Sequence, residues 1–201
     1  MTKLLLGCVL FILGNSVLQA AEYTQAPGHF GGFGSDDSFA VADEFICPQE
    51  TPVKVIMWWG ENVPDPASAH FKIRLFADDH GQPGLLLLEI DNGRISKKKT
   101  GDYLIRAGRE QPSLYPEFEY SLVLNEQFIA RARVKYWLSV VSVSVDSWTW
   151  EVSGSQKNIG VQRSVFTDPI YGPWTPYYDN TAFAVGSNPL LLKRQLGALN
   201  H

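Results

Sequence analysis

The segment FKIRLFA, residues 71–77, alternates large apolar side chains with basic ones. Successive side chains of a β-strand point to opposite faces, and this alternation is typical of a half-buried strand. The pattern predicts two sets of side chains, with Phe71, Ile73 and Leu75 pointing inward and Lys72 and Arg74 pointing to solvent. The segment that follows, ADDHGQPG, holds the Asp, Gly and Pro residues that suit a tight turn, and LLLLEI then predicts a second strand.

Similar short runs occur along most of the chain, separated by Gly, Pro, Asn and Asp. The further strand candidates are FAVADEFIC (39–47), VKVIMWWG (53–60), FEYSLVL (118–124), VKYWLSVVSVSV (134–145), WTWEV (148–152) and AFAVG (182–186). In the first of them, Asp43 interrupts an otherwise apolar face. About eight or nine strands result and no long amphipathic helix competes, which predicts an all-β protein with an antiparallel, two-sheet, jelly-roll-like β-sandwich.

The N-terminus has the pattern of a secretory signal peptide. Lys3 precedes an apolar run from Leu4 to Leu13, and the small residues Ala20 and Ala21 follow. This run is shorter than the ~20 residues that a membrane-spanning helix needs. We therefore expect residues 1–20 to be removed after Ala20 or Ala21, leaving no membrane span, and the product to be secreted or to reach the periplasm or cell surface.

Composition divides the rest of the chain into three parts. Residues 21–38 are rich in Gly and Pro and are expected to form a flexible lead-in. Residues 39–187 are expected to form the β-sandwich domain. The tail, 188–201, has leucines at helical spacing and is expected to form a short helix, for which packing on the sandwich is preferred over pairing with another chain or fraying.

Charge and cysteine content exclude some functions. The formal net charge is −4, and the one dense basic run, Lys97–Lys99, is interpreted as a solvated loop, so nucleic-acid binding is not expected. Cys47 is the only cysteine left once the signal is removed, so no intramolecular disulfide can form. We expect it to behave as a small buried hydrophobe.

Several motifs together resemble a bacterial family. They are VADEFIC (41–47) leading into VKVIMWWG, then FKIRLFADDHGQPGLLLLE (71–89), then YSLVLNEQFIARARVKYWLSV (120–140) followed by WTWEV. They resemble the jelly-roll-like β-sandwich domains of secreted or surface-displayed bacterial proteins, common in planctomycetes and their relatives. The resemblance spans roughly residues 39–186 and implies the fold, but no activity, because that family has no established one.

The tail departs from that family. Many relatives end in a sorting tail that begins Pro-Glu-Pro and continues with an apolar span and a basic cluster. Here Asn188 and Pro189 precede only three leucines before Lys193 and Arg194. The apolar run is too short for a membrane span, which favours free secretion over anchoring by that route.

No catalytic motif is legible. The three acidic pairs, Asp36 with Asp37, Asp43 with Glu44 and Asp78 with Asp79, are adjacent residues, and adjacent residues of a strand point to opposite faces, so none of the pairs forms the converging carboxylates of a glycosidase. The four histidines have no zinc-binding spacing. Asp78 and Asp79, in the predicted hairpin turn, are the one candidate set of oxygen ligands for Ca²⁺; no other cofactor is expected.

Aromatic residues suggest one candidate ligand site. Trp59, Trp148 and Trp150 alternate along strands and are expected in the core. The Pro-rich segment YGPWTPYYDN is different, because prolines exclude it from a central strand while its rings and polar groups could contact a sugar. The candidate ligand-binding residues are Tyr171, Trp174, Tyr177, Tyr178, Asp179 and Asn180. The alternative is that these rings fold back and fill one end of the sandwich.

Three functions remain open from the sequence. The first is a non-enzymatic secreted protein with a structural, adhesive or surface or matrix role. The second is a carbohydrate-binding module, whose partner would be a polysaccharide. The third is a glycan-active hydrolase whose carboxylates converge only in three dimensions. A row of exposed rings would indicate the second, and two converging carboxylates in a cleft would indicate the third.

Overall fold

The computed structural model describes residues 22–36, 39–63, 70–91, 93–106, 113–143, 148–154, 160–164, 173–177 and 179–199. In these ranges the chain forms thirteen strands and one helix. The strands are β1 Tyr23–Gln25, β2 Pro27–Gly34, β3 Phe39–Ile46, β4 Thr51–Gly60, β5 Phe71–Asp79, β6 Gln82–Asp91, β7 Ile95–Arg106, β8 Ser113–Ala130, β9 Lys135–Ser142, β10 Thr149–Ser153, β11 Gly160–Ser164, β12 Thr175–Tyr177 and β13 Phe183–Gly186. The helix, α1, spans Pro189–Leu199.

The strands form two antiparallel sheets. The first sheet contains β1, β13, β4, β10 and β2 in that order, and β8 joins it by pairing with both β4 and β7. The second sheet has the order β12-β11-β3-β9-β5-β6. Their apolar inner faces pack together, so the predicted all-β, two-sheet sandwich is confirmed.

Aromatic side chains fill the space between the sheets. Trp58 stacks on Tyr120 with ring centroids 5.7 Å apart, and Phe71 meets both Tyr120 and Trp148 edge to face. The hydroxyl of Tyr120 donates to the carbonyl of Glu61 at 2.6 Å, which satisfies its polar end inside the core. The predicted core position of Trp148 is confirmed, and Trp150 lies in the same core.

The C-terminal helix covers the outer face of the first sheet. Leu192 and Leu196 pack with Trp59 and neighbouring residues of β4 and β13. The Asn188 side chain accepts a hydrogen bond from the Leu190 amide at 2.8 Å, which caps the first turn. The expected short helix and its packing on the sandwich are therefore confirmed. No helix in the described ranges is long and apolar enough to cross a membrane.

The expectation of a flexible lead-in over residues 21–38 is wrong. β1 pairs with β13, and β2 pairs with β10 through Trp150↔Phe33 and neighbouring positions. The sandwich therefore begins near Tyr23 rather than Phe39. Glycine content indicated a linker, but at Gly32 it serves close packing, because a Cβ there would lie 2.1 Å from the carbonyl oxygen of Trp150.

Two further expectations need correction. Lys97–Lys99 lie in β7, where the Lys97 ammonium stands 4.4 Å from the centre of the Phe118 ring, and not in a loop. Arg74 is buried rather than directed to solvent, because its guanidinium pairs with Glu89 at 2.6 Å across β5 and β6. The alkyl stems of long basic side chains can cover apolar surface, and an alternating sequence pattern does not show whether they do so.

Candidate functional site

A polar cluster lies where β2, β8 and β10 meet on the outer face of the first sheet. The pairing of β4 with β8 ends at Gly60↔Phe118, whereas the pairing of β7 with β8 continues to Arg106↔Ser113. The β7–β8 hairpin therefore extends beyond the end of β4. We call its extending part, 103–106 with 113–116, the outer hairpin. β2 packs beside β7 there, since a Cβ at Gly31 would lie 2.8 Å from the carbonyl oxygen of Ile105.

Strand alternation places two glutamates toward this cluster. Glu119 is opposite Trp59, whose ring packs under α1, so Glu117 and Glu119 share the outer face of β8. On β10, Trp150 points into the core, so Glu151 points to the same outer face. Glu117 is 1% exposed and Glu151 is 0% exposed.

His29 completes the cluster from β2. Its backbone amide donates to Oε1 of Glu151 at 2.9 Å, and its Nδ1 lies 2.8 Å from Oε2 of Glu117 and 3.7 Å from Oε1 of Glu151. The residue has φ of 60°, a left-handed conformation that few side-chain-bearing residues adopt. At the preceding Gly28 a Cβ would lie 2.7 Å from the amide nitrogen of Gly154, so the glycine allows β2 to approach closely.

The electrostatics of the cluster are dominated by two neighbouring carboxyl groups. Burial, and then the adjacent Glu117 carboxyl, raise the pKa of Glu151 well above its ordinary value. Oε2 of Glu151 is buried, and no N–H or O–H donor of the described residues reaches it. The two carboxyl groups therefore need a shared proton or a cation between them.

A pocket of about 200 Å³ opens beside the cluster. Its lining includes His29 and Glu117, and further polar groups come from β7, β8 and α1 in Thr100, Asp102, Glu119 and Lys193. Lys193 pairs with Glu119 at 3.1 Å, so one wall carries an ion pair and the other carries the cluster. The His29 side chain is 45% exposed and reaches this opening.

The convergence of Glu117 and Glu151 bears on the hydrolase alternative. A glycosidase pair flanks its sugar with carboxyl groups about 5 to 9.5 Å apart and both reach the substrate. Here both carboxyl groups are buried and contact one imidazole, and the interacting atoms of all three residues lie within 4.8 Å of one another. This arrangement suits binding of a proton or cation better than attack on a glycosidic bond.

The outer hairpin carries exposed apolar side chains. Ile105 pairs with Leu114, and Tyr103 lies two residues away on the same face. We call these three residues the outer hairpin patch; they are 47% (Tyr103), 42% (Ile105) and 64% (Leu114) exposed. Leu114 lies on the same face of β8 as Tyr120, whose ring lies between the two sheets. The patch therefore extends the apolar inner face of the first sheet beyond the region that the second sheet covers.

The aromatic rings of the predicted ligand site that the structure describes are mostly packed against the protein rather than exposed. Trp174 is 7% exposed and its ring meets that of Phe76 at 6.1 Å, so it is packed against the second sheet. The ring of Tyr177 lies 4.1 Å from that of Phe33 and its hydroxyl is buried. Tyr171 and Tyr178 lie outside the described residues. These positions match the alternative in which the rings fill the fold, and the role of the segment in binding stays a prediction.

The two polar residues of that segment diverge. Asn180 is buried, and its main-chain carbonyl accepts from the Ser153 amide at 2.7 Å. Asp179 is exposed and lines a different pocket of about 320 Å³ together with Phe30. The Phe30 ring is 74% exposed, so it is the described aromatic side chain most available for stacking in this region.

The candidate calcium ligands lie at the end of β5, next to the turn at His80 and Gly81, and are engaged in protein contacts. Asp78 accepts from the indole nitrogen of Trp137 at 2.8 Å, and Asp79 contacts His80 at 2.6 Å. Among the described residues, the only group of three side chains with converging ligand atoms is His29, Glu117 and Glu151. The calcium role of Asp78 and Asp79 stays a prediction.

Sequence reasoning missed this cluster because its members are far apart along the chain. Glu117 is 88 residues and Glu151 is 122 residues from His29. One usable signal exists in WTWEV, where Glu151 stands between a core tryptophan and a valine in a strand. A carboxylate at such a position marks an outer face that is either solvated or specifically paired.

The chain belongs to the family described as Domain of unknown function (DUF7901), whose model matches residues 21–185. This match includes β1 and β2 as well as the strands that the sequence predicted. No curated protein and no solved structure matches the chain.

Proposed function

We propose that this member of a domain family of unknown function is an exported, non-enzymatic β-sandwich that attaches to another component of the cell envelope or matrix. The observation that carries the proposal is the outer hairpin patch. Exposed apolar groups are common singly, whereas here three of them adjoin on an extending hairpin, which favours this place as an interaction surface. Export is inferred from the N-terminal signal pattern.

The patch supports adhesion because apolar surface continues where the covering sheet ends. Ile105 and Leu114 face each other across the hairpin and expose their side chains together. Covering them with an apolar partner surface removes that area from water at about 25 cal/mol per Å². The Tyr103 ring adds an aromatic anchor of the kind enriched in binding sites.

A sedimentation assay tests this role. The purified mature domain is mixed with insoluble envelope and matrix material of the producing cell, and the bound fraction is measured against protein concentration. We expect Ile105→Ser with Leu114→Ser to weaken binding at least tenfold. Val123→Ser is the matched control, because Val123 is equally exposed on the same strand but lies away from the outer hairpin, and it should bind like the wild type.

Two results would contradict the proposal. One is equal loss of binding in the Val123→Ser control, which would make exposed apolar area in general responsible. The other is full binding by the hairpin variant. Export is tested separately by N-terminal sequencing of the secreted product, which should begin at Ala21 or Glu22; an intact Met1 on cytoplasmic protein would contradict it.

Carbohydrate binding is the second candidate, and the exposed ring of Phe30 favours it. This residue lines a pocket of about 320 Å³ together with Asp179, so an apolar stacking surface and an acidic residue that could accept from sugar hydroxyls lie close together. Pull-down on purified insoluble polysaccharides separates the candidates. Binding that Phe30→Ala abolishes and the hairpin variant keeps would favour this second function.

A further inference from the structure

We propose that His29, Glu117 and Glu151 bind one first-row transition-metal dication, such as Zn²⁺, at the base of the outer hairpin. The donor set is one imidazole nitrogen and two carboxylate oxygens. Zinc accepts both ligand types at about 2.0–2.2 Å, and imidazole favours it over the hard cations Ca²⁺ and Mg²⁺.

The separations of the donor atoms fit a shared ion. Atoms bound at about 2.1 Å to one cation stand roughly 3.0–3.4 Å apart in octahedral or tetrahedral geometry. His29 Nδ1 lies 2.8 Å from the Glu117 oxygen and 3.7 Å from the Glu151 oxygen. The ligand atoms of all three residues lie within 4.8 Å of one another, so modest side-chain shifts would bring the three donors to bonding distance.

An unpartnered buried oxygen provides independent support. No N–H or O–H donor of the described residues reaches Oε2 of Glu151, although the side chain is fully buried. Buried polar groups are normally satisfied, and each exception calls for a partner such as an unseen ion. A cation that Glu151 held through both of its oxygens would supply that partner and would oppose the repulsion between the two carboxyl groups.

The surroundings favour a positive ion and leave room for it. Asp102 adds negative potential at Glu151, and the ammonium of Lys193, which lines the pocket, is paired with Glu119. The pocket of about 200 Å³ gives a path for the ion and space for water as further ligands. Three protein donors with an accessible side are typical of a metal site that exchanges its remaining ligands.

Metal binding would join three strands that are distant in sequence. β2 contributes His29, β8 contributes Glu117 and β10 contributes Glu151. An ion there would tie the base of the outer hairpin to β2 and β10. Because such a site is absent from the unfolded chain, binding should stabilise the folded protein.

Titration calorimetry and thermal unfolding test the proposal on the full mature protein. After treatment with EDTA and its removal by dialysis, ZnCl₂ should bind at one equivalent. At a free Zn²⁺ concentration about a hundredfold above Kd, the midpoint of unfolding should rise by several degrees. MnCl₂ and CaCl₂ are titrated in parallel, and weaker binding of Ca²⁺ is expected.

Variants locate the site. His29→Ala, at a half-exposed side chain, and Glu151→Gln, which keeps the side-chain volume, should each weaken Zn²⁺ binding at least tenfold. The matched control is His80→Ala, because His80 also contacts a carboxylate, that of Asp79, but on the exposed β5–β6 turn. It should bind Zn²⁺ like the wild type.

The outcomes are decisive in both directions. The proposal is overturned if the wild type shows neither heat nor a shift in the unfolding midpoint, or if His29→Ala binds as tightly as the wild type. Should Glu151→Gln fail to fold, His29→Ala alone decides. These measurements involve no envelope material, so they are independent of the adhesion assay.

Discussion

Replacing Asp43 with Asn should change how the stability of the domain depends on pH. Asp43 is fully buried between the sheets, although it belongs to β3 of the second sheet. Its Oδ2 accepts from the amide and hydroxyl of Thr181 at 2.5 and 3.1 Å and from Gln25 at 3.4 Å, which links it to the first sheet. Burial raises the pKa of Asp43 from 3.8 to about 7 despite these donors.

Proton linkage gives the direction in which the stability changes with pH. The folded state retains the proton up to about pH 7, whereas the unfolded state releases it near pH 4, so the stabilisation present at low pH is lost as pH rises. Between pH 5 and pH 8 this group lowers the free energy of unfolding by about 3 kcal/mol. Asp43→Asn removes that decline, since an amide does not titrate.

Urea denaturation at pH 5, 6, 7 and 8 in EDTA measures the effect. We expect the stability of the wild type, relative to Asp43→Asn, to fall by about 3 kcal/mol across this range. Other titrating carboxyl groups are common to both proteins and cancel in the difference. Ser139→Ala, which removes a buried hydroxyl on β9, is the control and should differ from the wild type by a constant amount. A constant difference for Asp43→Asn as well would refute the reasoning.

Three other outcomes are expected. Gly32→Ala should destabilise the domain by about 1–3 kcal/mol in thermal unfolding, because its Cβ would meet the Trp150 carbonyl. Gly197→Ala in α1, with open space around it, should be neutral or stabilising, and equal effects of the two substitutions would contradict the close packing of β2. Cys47 should label slowly with a thiol reagent until the protein unfolds, because it is buried and burial raises its pKa; rapid native labelling would contradict this. Trp174→Ala should cost about 3–5 kcal/mol in chemical denaturation, and an unchanged midpoint would return this ring to the candidate ligand site.

The strands that the sequence predicted are those whose side chains alternate between core and surface. FKIRLFA shows this well, because Phe71, Ile73 and Leu75 are buried in the core as expected. Arg74 was misassigned because its burial depends on Glu89, which belongs to the neighbouring strand. A periodicity argument reports which face a residue lies on, and it cannot report whether that face is covered by another part of the chain.

β2 was missed for a different reason. Glycine weakens any strand by its conformational freedom, so a segment such as HFGGFG favours a linker on composition alone. Glycine also allows two backbones to approach each other more closely than any other residue type would allow. Which property matters is decided by the partner strand, here β10, and that information is not local.

The same ambiguity explains why the polar cluster could not be read from the sequence. His29 lies in the segment assigned to the lead-in, and the sequence criterion for metal ligands looks for histidines and acids at short, regular spacing. Such spacing detects sites built on one helix or one loop. In a sandwich, ligands come from strands that are adjacent in space and distant in sequence, so a glycine-rich strand that packs closely can complete a site with two buried glutamates. The informative local signal is therefore an acidic residue, such as Glu151, that alternates with core aromatic residues. If such a carboxylate is buried, it needs a counter-charge or a hydrogen-bond donor. The strand that supplies this partner can come from a segment whose composition resembles a linker, as β2 does here.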